Sequence, residues 1–249
     1  MRLPALALSL SLLPVLALGQ EAEDYPKLGP DARPVTDATD YLRTSAAPDY
    51  WAFSFFTKPQ FTTSACSIAA VTAALNGLNG LPEMASETVM TQEDLLELAG
   101  APLWAELSAE GGDGVTFAQL AEFAAAGAAA ALPGGATVES WQPTGPGDLD
   151  RLRADLAANE VGAEDAMLVY FNQGVVTGDW DGPHVAVIGA YDAAADSVLI
   201  LEVDQEWYIP YWTPAPVLLD AMLKPTSAEH GPLEGETGGL VRIALPPAT

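Results

Sequence analysis

The sequence predicts an α+β fold: a helical N-terminal half with a cysteine at the start of a buried helix, and an antiparallel sheet in the C-terminal half. Two observations carry this. Up to about residue 160 the apolar residues recur at helical spacing between capping and breaking signals. After Gly162 they fall into continuous runs of strand length, two of them joined by the turn-like Asp192-Ala193-Ala194-Ala195-Asp196. Helices first and hairpin-spaced strands afterwards point away from alternating βαβ units.

Residues 1–19 read as an export signal. Met1-Arg2 is a short positive start, Leu3 to Leu18 is almost entirely apolar, and Ala17-Leu18-Gly19 offers the small residues a signal peptidase reads. Residue 20 is Gln rather than Cys, which does not suit a lipoprotein signal. The chain is expected to be exported, periplasmic or secreted, with a mature start near Gln20. Residues 20–48 are rich in Pro, Asp and Thr and read as an extended lead-in. Residues 49–249 are expected to form a single domain.

Within that domain, Asp49 to Phe56 is aromatic-rich and is expected to pack beneath the active-site region. Cys66 to Leu78 is apolar nearly all round, so it reads as a buried helix ending at Asn76-Gly77. Thr91 to Leu98 is a second helix, with Thr91 as N-cap and Glu93 and Asp94 in its first turn. Thr116 to Ala126 is amphipathic, and its Ala-rich extension stops at Pro133-Gly134-Gly135. Gly147 to Ala158 aligns Leu149, Leu152 and Leu156 on one face. Strands are expected at Ala166 to Phe171, Val185 to Tyr191, Ser197 to Val203 and Gly239 to Ala244, with a short helix at Val217 to Leu223.

The formal net charge is −25, and loss of residues 1–19 removes Arg2 and no acid, giving about −26. Nucleic acid and anionic membrane would both be repelled, so neither is an expected partner. Such a charge also suits a solvating surface.

Cys66 is the sole cysteine. A lone cysteine is more often a small buried hydrophobe. In an exported chain, however, it has no disulfide partner and remains a free thiol in an oxidising compartment. It stands where a polar, irregular stretch turns into a helix, with Gln60 six residues upstream. A thiol at a helix N-terminus with an amide donor nearby is suited to nucleophilic catalysis.

Such a nucleophile needs a base. Of the two histidines, His230 lies in a polar loop, whereas His184 opens an apolar strand directly after Asp181-Gly182-Pro183. A carboxylate must then orient the imidazole. Glu202 and Asp204 both follow on or just past the next strand. A hairpin centred on residue 193 opposes His184 to Glu202, and one centred on 194 opposes it to Asp204. Sequence parity leaves both open.

These pieces resemble the phytochelatin synthase family, papain-like enzymes. The resemblance rests on Gln60-x5-Cys66, on Ala74-Leu75-Asn76-Gly77-Leu78, and on Gly182-Pro183-His184-Val185-Ala186-Val187-Ile188-Gly189-Ala190-Tyr191. It also rests on Val198-Leu199-Ile200-Leu201-Glu202-Val203 followed by Trp207-Tyr208-Ile209-Pro210-Tyr211-Trp212, and it runs from about residue 50 to 243. It implies a papain-like fold and cleavage of glutathione, or a related short peptide, through an acyl-cysteine that passes to water or to a second peptide. It implies Cys66, His184 and Glu202 as the catalytic residues, the carboxylate lying eighteen residues after the histidine, and Gln60 as an oxyanion donor.

Four positions depart from the family pattern. Ser67 replaces the glycine after the nucleophile, Glu202 replaces aspartate, and Gln205 and Asn172 replace basic residues. Loss of two cations removes partners for the carboxylates of a substrate such as glutathione. The chemistry requires no metal or other cofactor, and two histidines and one cysteine are a poor ligand set for zinc. The resemblance admits a heavy metal only as the thiolate of the substrate. The competing reading is a catalytically decayed papain-like module that binds a peptide or thiol.

Overall fold

The computed structural model describes residues 27–81 and 89–247, so the expected signal peptide at 1–19 lies outside the described residues. Among the described residues there are seven strands: β1 (Arg33–Pro34), β2 (Thr137–Trp141), β3 (Asp165–Asn172), β4 (Pro183–Asp192), β5 (Ser197–Leu201), β6 (Tyr211–Pro214) and β7 (Gly239–Ala244). They form one antiparallel sheet in the order β1-β6-β5-β4-β3-β7-β2. Nine α-helices accompany them: α1 (Asp40–Thr44), α2 (Pro48–Phe53), α3 (Cys66–Asn79), α4 (Gln92–Ala99), α5 (Pro102–Leu107), α6 (Phe117–Ala131), α7 (Leu149–Asn159), α8 (Gln173–Thr177) and α9 (Ala215–Leu223).

Both faces of the sheet are covered, which is why its central strands read as continuous apolar runs. On one face Leu168, Val187, Leu199, Leu201, Val241 and Ile243 pack against α3, α4 and α6. On the other Met167, Val169, Ile188 and Ile200 meet Leu152 and Leu156 of α7 and Leu218 of α9. The α+β class is as expected, with helices preceding most of the strands. Two strands arise where none was expected. β1 is a two-residue edge pairing made by the lead-in, and β2 is a half-exposed edge strand whose Thr-Val-Glu-Ser-Trp composition gives little periodic signal.

α3 is the central helix. Ile68, Ala70, Val71, Ala73, Ala74 and Leu75 are fully buried, and the helix ends at Gly80 with a positive φ. Its neighbours α4 and α6 begin with reciprocal caps, Thr91 with Asp94 and Thr116 with Gln119, each stabilising its helix by about 1 kcal/mol.

Strands β4 and β5 pair Ile188 with Ile200 but Ala190 with Leu199, so Gly189 is the extra residue of a bulge. Before it Val185 and Val187 face α3, and after it Ala190 does. A Cβ on residue 189 would lie 2.6 Å from Leu201 Cγ, so only glycine fits. The bulge lets one strand serve the core at one end and carry His184 at the other.

Away from the cleft, Asp49 is wholly buried and accepts a hydrogen bond from the Asn159 amide. Burial, then the charges of Glu160, Asp165 and Glu164, push its carboxyl up to about 9. The folded value lies above the unfolded value of about 3.9, so the folded state holds the extra proton. Stability therefore falls as pH rises from about 4 towards 9. Asp49→Asn keeps the shape and cannot ionise, so it should be more stable than the parent at pH 8, by on the order of a few kcal/mol. Thermal unfolding between pH 5 and 9 checks this; parallel curves for the two proteins would refute it.

Candidate active site

The start of α3, the start of β4 and the exit of β5 meet at one end of the sheet, and a cleft of about 790 Å³ opens there. Because β4 and β5 are antiparallel, the first residues of one strand lie beside the last of the next. That brings His184 and Glu202 together across eighteen residues of chain.

Cys66 is the first residue of α3, half-buried and lining the cleft. No side chain caps this helix, so its first-turn N–H groups and the positive end of its dipole remain available to an anion. The loop leading to Cys66 is fastened on several sides. The Gln60 N–H donates to the Val203 carbonyl at 2.8 Å. Gln92 of α4 donates to the Pro59 carbonyl (2.8 Å) and accepts from the Phe61 N–H (3.2 Å). The hydroxyls of Thr62 and Ser64 donate to the carbonyls of Ser108 and Gly112, both at 2.6 Å. The Gln60 side chain lines the cleft and spends one amide hydrogen on a long 3.4 Å contact with the Thr63 carbonyl, leaving the other for a ligand.

His184 is buried, and its Nε2 lies 2.7 Å from Glu202 Oε1. Nδ1 is then the nitrogen left to serve the Cys66 thiol, which lines the same cleft. Phe171, its partner across β3 and β4, meets the imidazole edge-on at 5.7 Å. Burial by itself pushes the imidazolium down; the Glu202 carboxylate and the Cys66 thiol outweigh it and hold the ring well above the ordinary histidine range.

Glu202 is completely buried and well satisfied. Its Oε1 also accepts from the N–H groups of Val203 (2.8 Å) and Asp204 (2.7 Å), and its Oε2 from Gln173 Nε2 (3.1 Å). Burial raises its carboxyl, but His184 and the two backbone N–H groups more than offset that and leave it below the ordinary glutamate range. The pairing of Val187 with Leu201 and Ile188 with Ile200, extended along the ladder, would oppose His184 to Asp204. β5 stops at Leu201, however, and the chain turns, so Asp204 gives its backbone N–H to Glu202 and its side chain lines the cleft.

The departures noted in the sequence have structural uses. Ser67 is buried, and its Oγ accepts from Trp104 Nε1 at 2.9 Å, tying α5 to the first turn of α3. Asn172 caps α8 through the Val175 N–H and donates to Asp181 Oδ1 at 2.7 Å. Gln205 donates to the Glu202 carbonyl at 2.9 Å. Gln173, Gln92 and Trp104 carry no motif of their own in the sequence; a polar residue between apolar runs was an available signal only for Gln173. His230, read as a loop residue, sits in a short 3₁₀ segment at the cleft wall, its Nε2 2.7 Å from the Asp181 carbonyl.

A thiol at a helix N-terminus, an imidazole in the same cleft and a buried carboxylate behind that imidazole fit a cysteine-nucleophile acyltransferase or peptidase. The chain belongs to the phytochelatin synthase family, whose model, described as "Phytochelatin synthase", matches residues 35–230. Among solved structures, the Pseudomonas avirulence protein AvrPphB covers 78% of this chain and 100% of its own, at TM-score 0.36 and 10% identity. No curated protein matches the sequence.

The Ser67–Trp104 bond gives a prediction. Ser67→Gly, which restores the residue common in the family, leaves the Trp104 N–H unsatisfied in the core and should cost about 1–3 kcal/mol. Denaturant unfolding measures it; an unchanged midpoint would show that the bond contributes nothing.

Proposed function

We infer that the protein transfers an acyl group from a short peptide through an acyl-cysteine, with Cys66 as nucleophile, His184 as general base and acid, and Glu202 as its orienting carboxylate. The juxtaposition of these three side chains carries the reading. In the first half-reaction the Cys66 thiolate adds to the scissile carbonyl, forming the C–S bond. The oxyanion is stabilised by the free Gln60 amide hydrogen and the Cys66 backbone N–H, each worth roughly 3–4 kcal/mol in comparable sites. The C–N bond then breaks as the His184 imidazolium gives its proton to the leaving amine. In the second half-reaction His184 removes a proton from water or from an acceptor amine, which attacks the thioester and releases Cys66. Glu202 keeps the imidazole in one tautomer throughout.

The family supports glutathione, or a related γ-glutamyl peptide, as the first substrate to try, with any heavy metal entering as its thiolate. The leader-like residues 1–19 support export. Incubating the mature protein with glutathione, with and without Cd²⁺ or Zn²⁺, tests the reaction: glycine release without oligomers indicates hydrolysis, and γ-glutamylcysteinyl oligomers indicate transfer. Cys66→Ser should abolish either product.

Two predictions test the roles. Despite its burial, His184 is held above its ordinary range by Glu202, so more of it is protonated between pH 8 and pH 6. The Cys66 alkylation rate should therefore fall less steeply over that window in the parent than in Glu202→Gln. Glu202→Gln should also lower turnover by about 10²–10⁴-fold, its fold kept by Gln173, whose Oε1 has no partner and can turn to the new amide. An ordinary thiol profile in the parent, unchanged by Glu202→Gln, would leave a binding module with an inert cysteine. Gln60→Ala should lower turnover by about 10²–10³-fold with the Cys66 alkylation profile unchanged; an unaltered turnover would remove Gln60 from the oxyanion site.

A further inference from the structure

The cleft carries more negative charge than the acyl transfer uses. Asp113, Asp179, Asp181, Asp204 and Glu229 all line it, against one lysine, Lys27. They stand on both banks. Asp113 follows Gly112, whose carbonyl accepts from Ser64 near Cys66. Asp179 and Asp181 precede β4, Asp204 follows β5, and Glu229 lies in the 3₁₀ segment whose His230 meets the Asp181 carbonyl. Two are neutralised within the chain: Asp181 by Lys224 at 2.6 Å, and Asp179 by Lys27 at 3.9 Å. Among the described residues, the carboxylates of Asp113, Asp204 and Glu229 have no ion pair or hydrogen bond. Asp204 is half-buried, and that burial raises its carboxyl in spite of His184 nearby.

Two further features bear on what such a cleft would take. The Lys27 ammonium lies 4.3 Å from the centre of the Trp207 ring as well as beside Asp179, so one wall already seats a cation between an indole face and a carboxylate. Tyr170 is 2% exposed and lines the cleft, yet its hydroxyl has no hydrogen-bond partner. Burial, then the nearby Cys66, hold that hydroxyl protonated, and a buried donor without an acceptor is satisfied when a ligand supplies one.

We propose that this site takes a cationic substrate: a short peptide or amide carrying ammonium or guanidinium groups near the scissile bond, with Asp113, Asp204 and Glu229 as counter-ions and Tyr170 donating to a substrate carbonyl. The proposal rests on the acyl-transfer reading of the same cleft. Glutathione, with two carboxylates and one ammonium, opposes this field, whereas an amide that replaces its glycine carboxylate with a polyamine matches it.

Two measurements on the mature protein test this. In the first, Cys66 reacts with the cationic 2-aminoethyl or the anionic 2-sulfonatoethyl methanethiosulfonate, each forming a mixed disulfide and releasing methanesulfinate. The cation-to-anion rate ratio, divided by that for 2-mercaptoethanol, should exceed about tenfold at low salt. It should fall at least threefold in Asp204→Asn and in Asp113→Asn/Glu229→Gln, and hold in Glu122→Gln/Asp220→Asn, whose acids lie outside the cleft. A ratio near one, or one insensitive to the cleft variants, overturns the proposal. In the second, glutathione is compared with its spermidine amide. Turnover of the amide with a kcat/KM at least tenfold higher supports the proposal, and equal or better turnover of glutathione overturns it while leaving the reaction intact. If neither is cleaved while the carboxylate-dependent rate ratio persists, the cleft's choice of cations stands and the acyl-transfer reading fails.

Discussion

The 2.7 Å bond between His184 Nε2 and Glu202 Oε1 is the constraint around which the cleft is organised. Both side chains are buried, so neither is screened by water, and removing either would leave an uncompensated charge at a cost of about 3–5 kcal/mol. A buried ion pair is not cheap to form. Here the glutamate is relieved by two backbone N–H groups and by Gln173, so His184 is not its only support. That division of labour leaves the imidazole free to gain and lose a proton on its other nitrogen while the carboxylate stays ionised.

The sheet supplies this arrangement because strand ends, rather than strand middles, meet at the cleft. β4 begins and β5 ends at the same edge of the molecule, and α3 presents its uncapped N-terminus to it. A regular ladder would have placed Asp204 opposite His184. Termination of β5 at Leu201 frees the next three residues to fold over, so the glutamate accepts the N–H groups of its own two successors and still reaches the ring. The extra methylene relative to aspartate is accommodated by that turn.

Much of this was legible in the sequence. The apolar run from Cys66, the capping residue Thr91, and the limits of β7 follow from local periodicity and end chemistry. The proposed nucleophile and base were legible through scarcity, one cysteine and two histidines. What stayed hidden depends on long-range contacts: the bulge at Gly189, which decides the hairpin register; Gln173, which reaches Glu202 across twenty-nine residues; and Trp104, which reaches Ser67 across thirty-seven. Edge strands β1 and β2 and the short helices α2, α5 and α8 carry too few residues to generate a pattern.

Those hidden contacts also change the meaning of the departures from the family pattern. Seen in sequence, Ser67, Gln205 and Asn172 look like losses from an active site. In the fold each makes hydrogen bonds to neighbouring structure: Ser67 to Trp104, Gln205 to the backbone that carries Glu202, and Asn172 to the start of α8 and to Asp181. Decay would leave such positions without partners, and these have partners of good geometry. The two that stand where the family has cations lie just behind the cleft wall, Asn172 bonded to Asp181 and Gln205 next to Asp204, and the charges of that wall are mostly carboxylates. Their replacement and the acidity of the walls act in one direction, against an anionic ligand, while the thiol, imidazole and buried carboxylate are retained. A chain under no constraint to catalyse would have little reason to keep Glu202 fully buried and fully bonded behind a histidine. The combination supports the proposed acyl-transfer centre and the cationic substrate inferred for its walls.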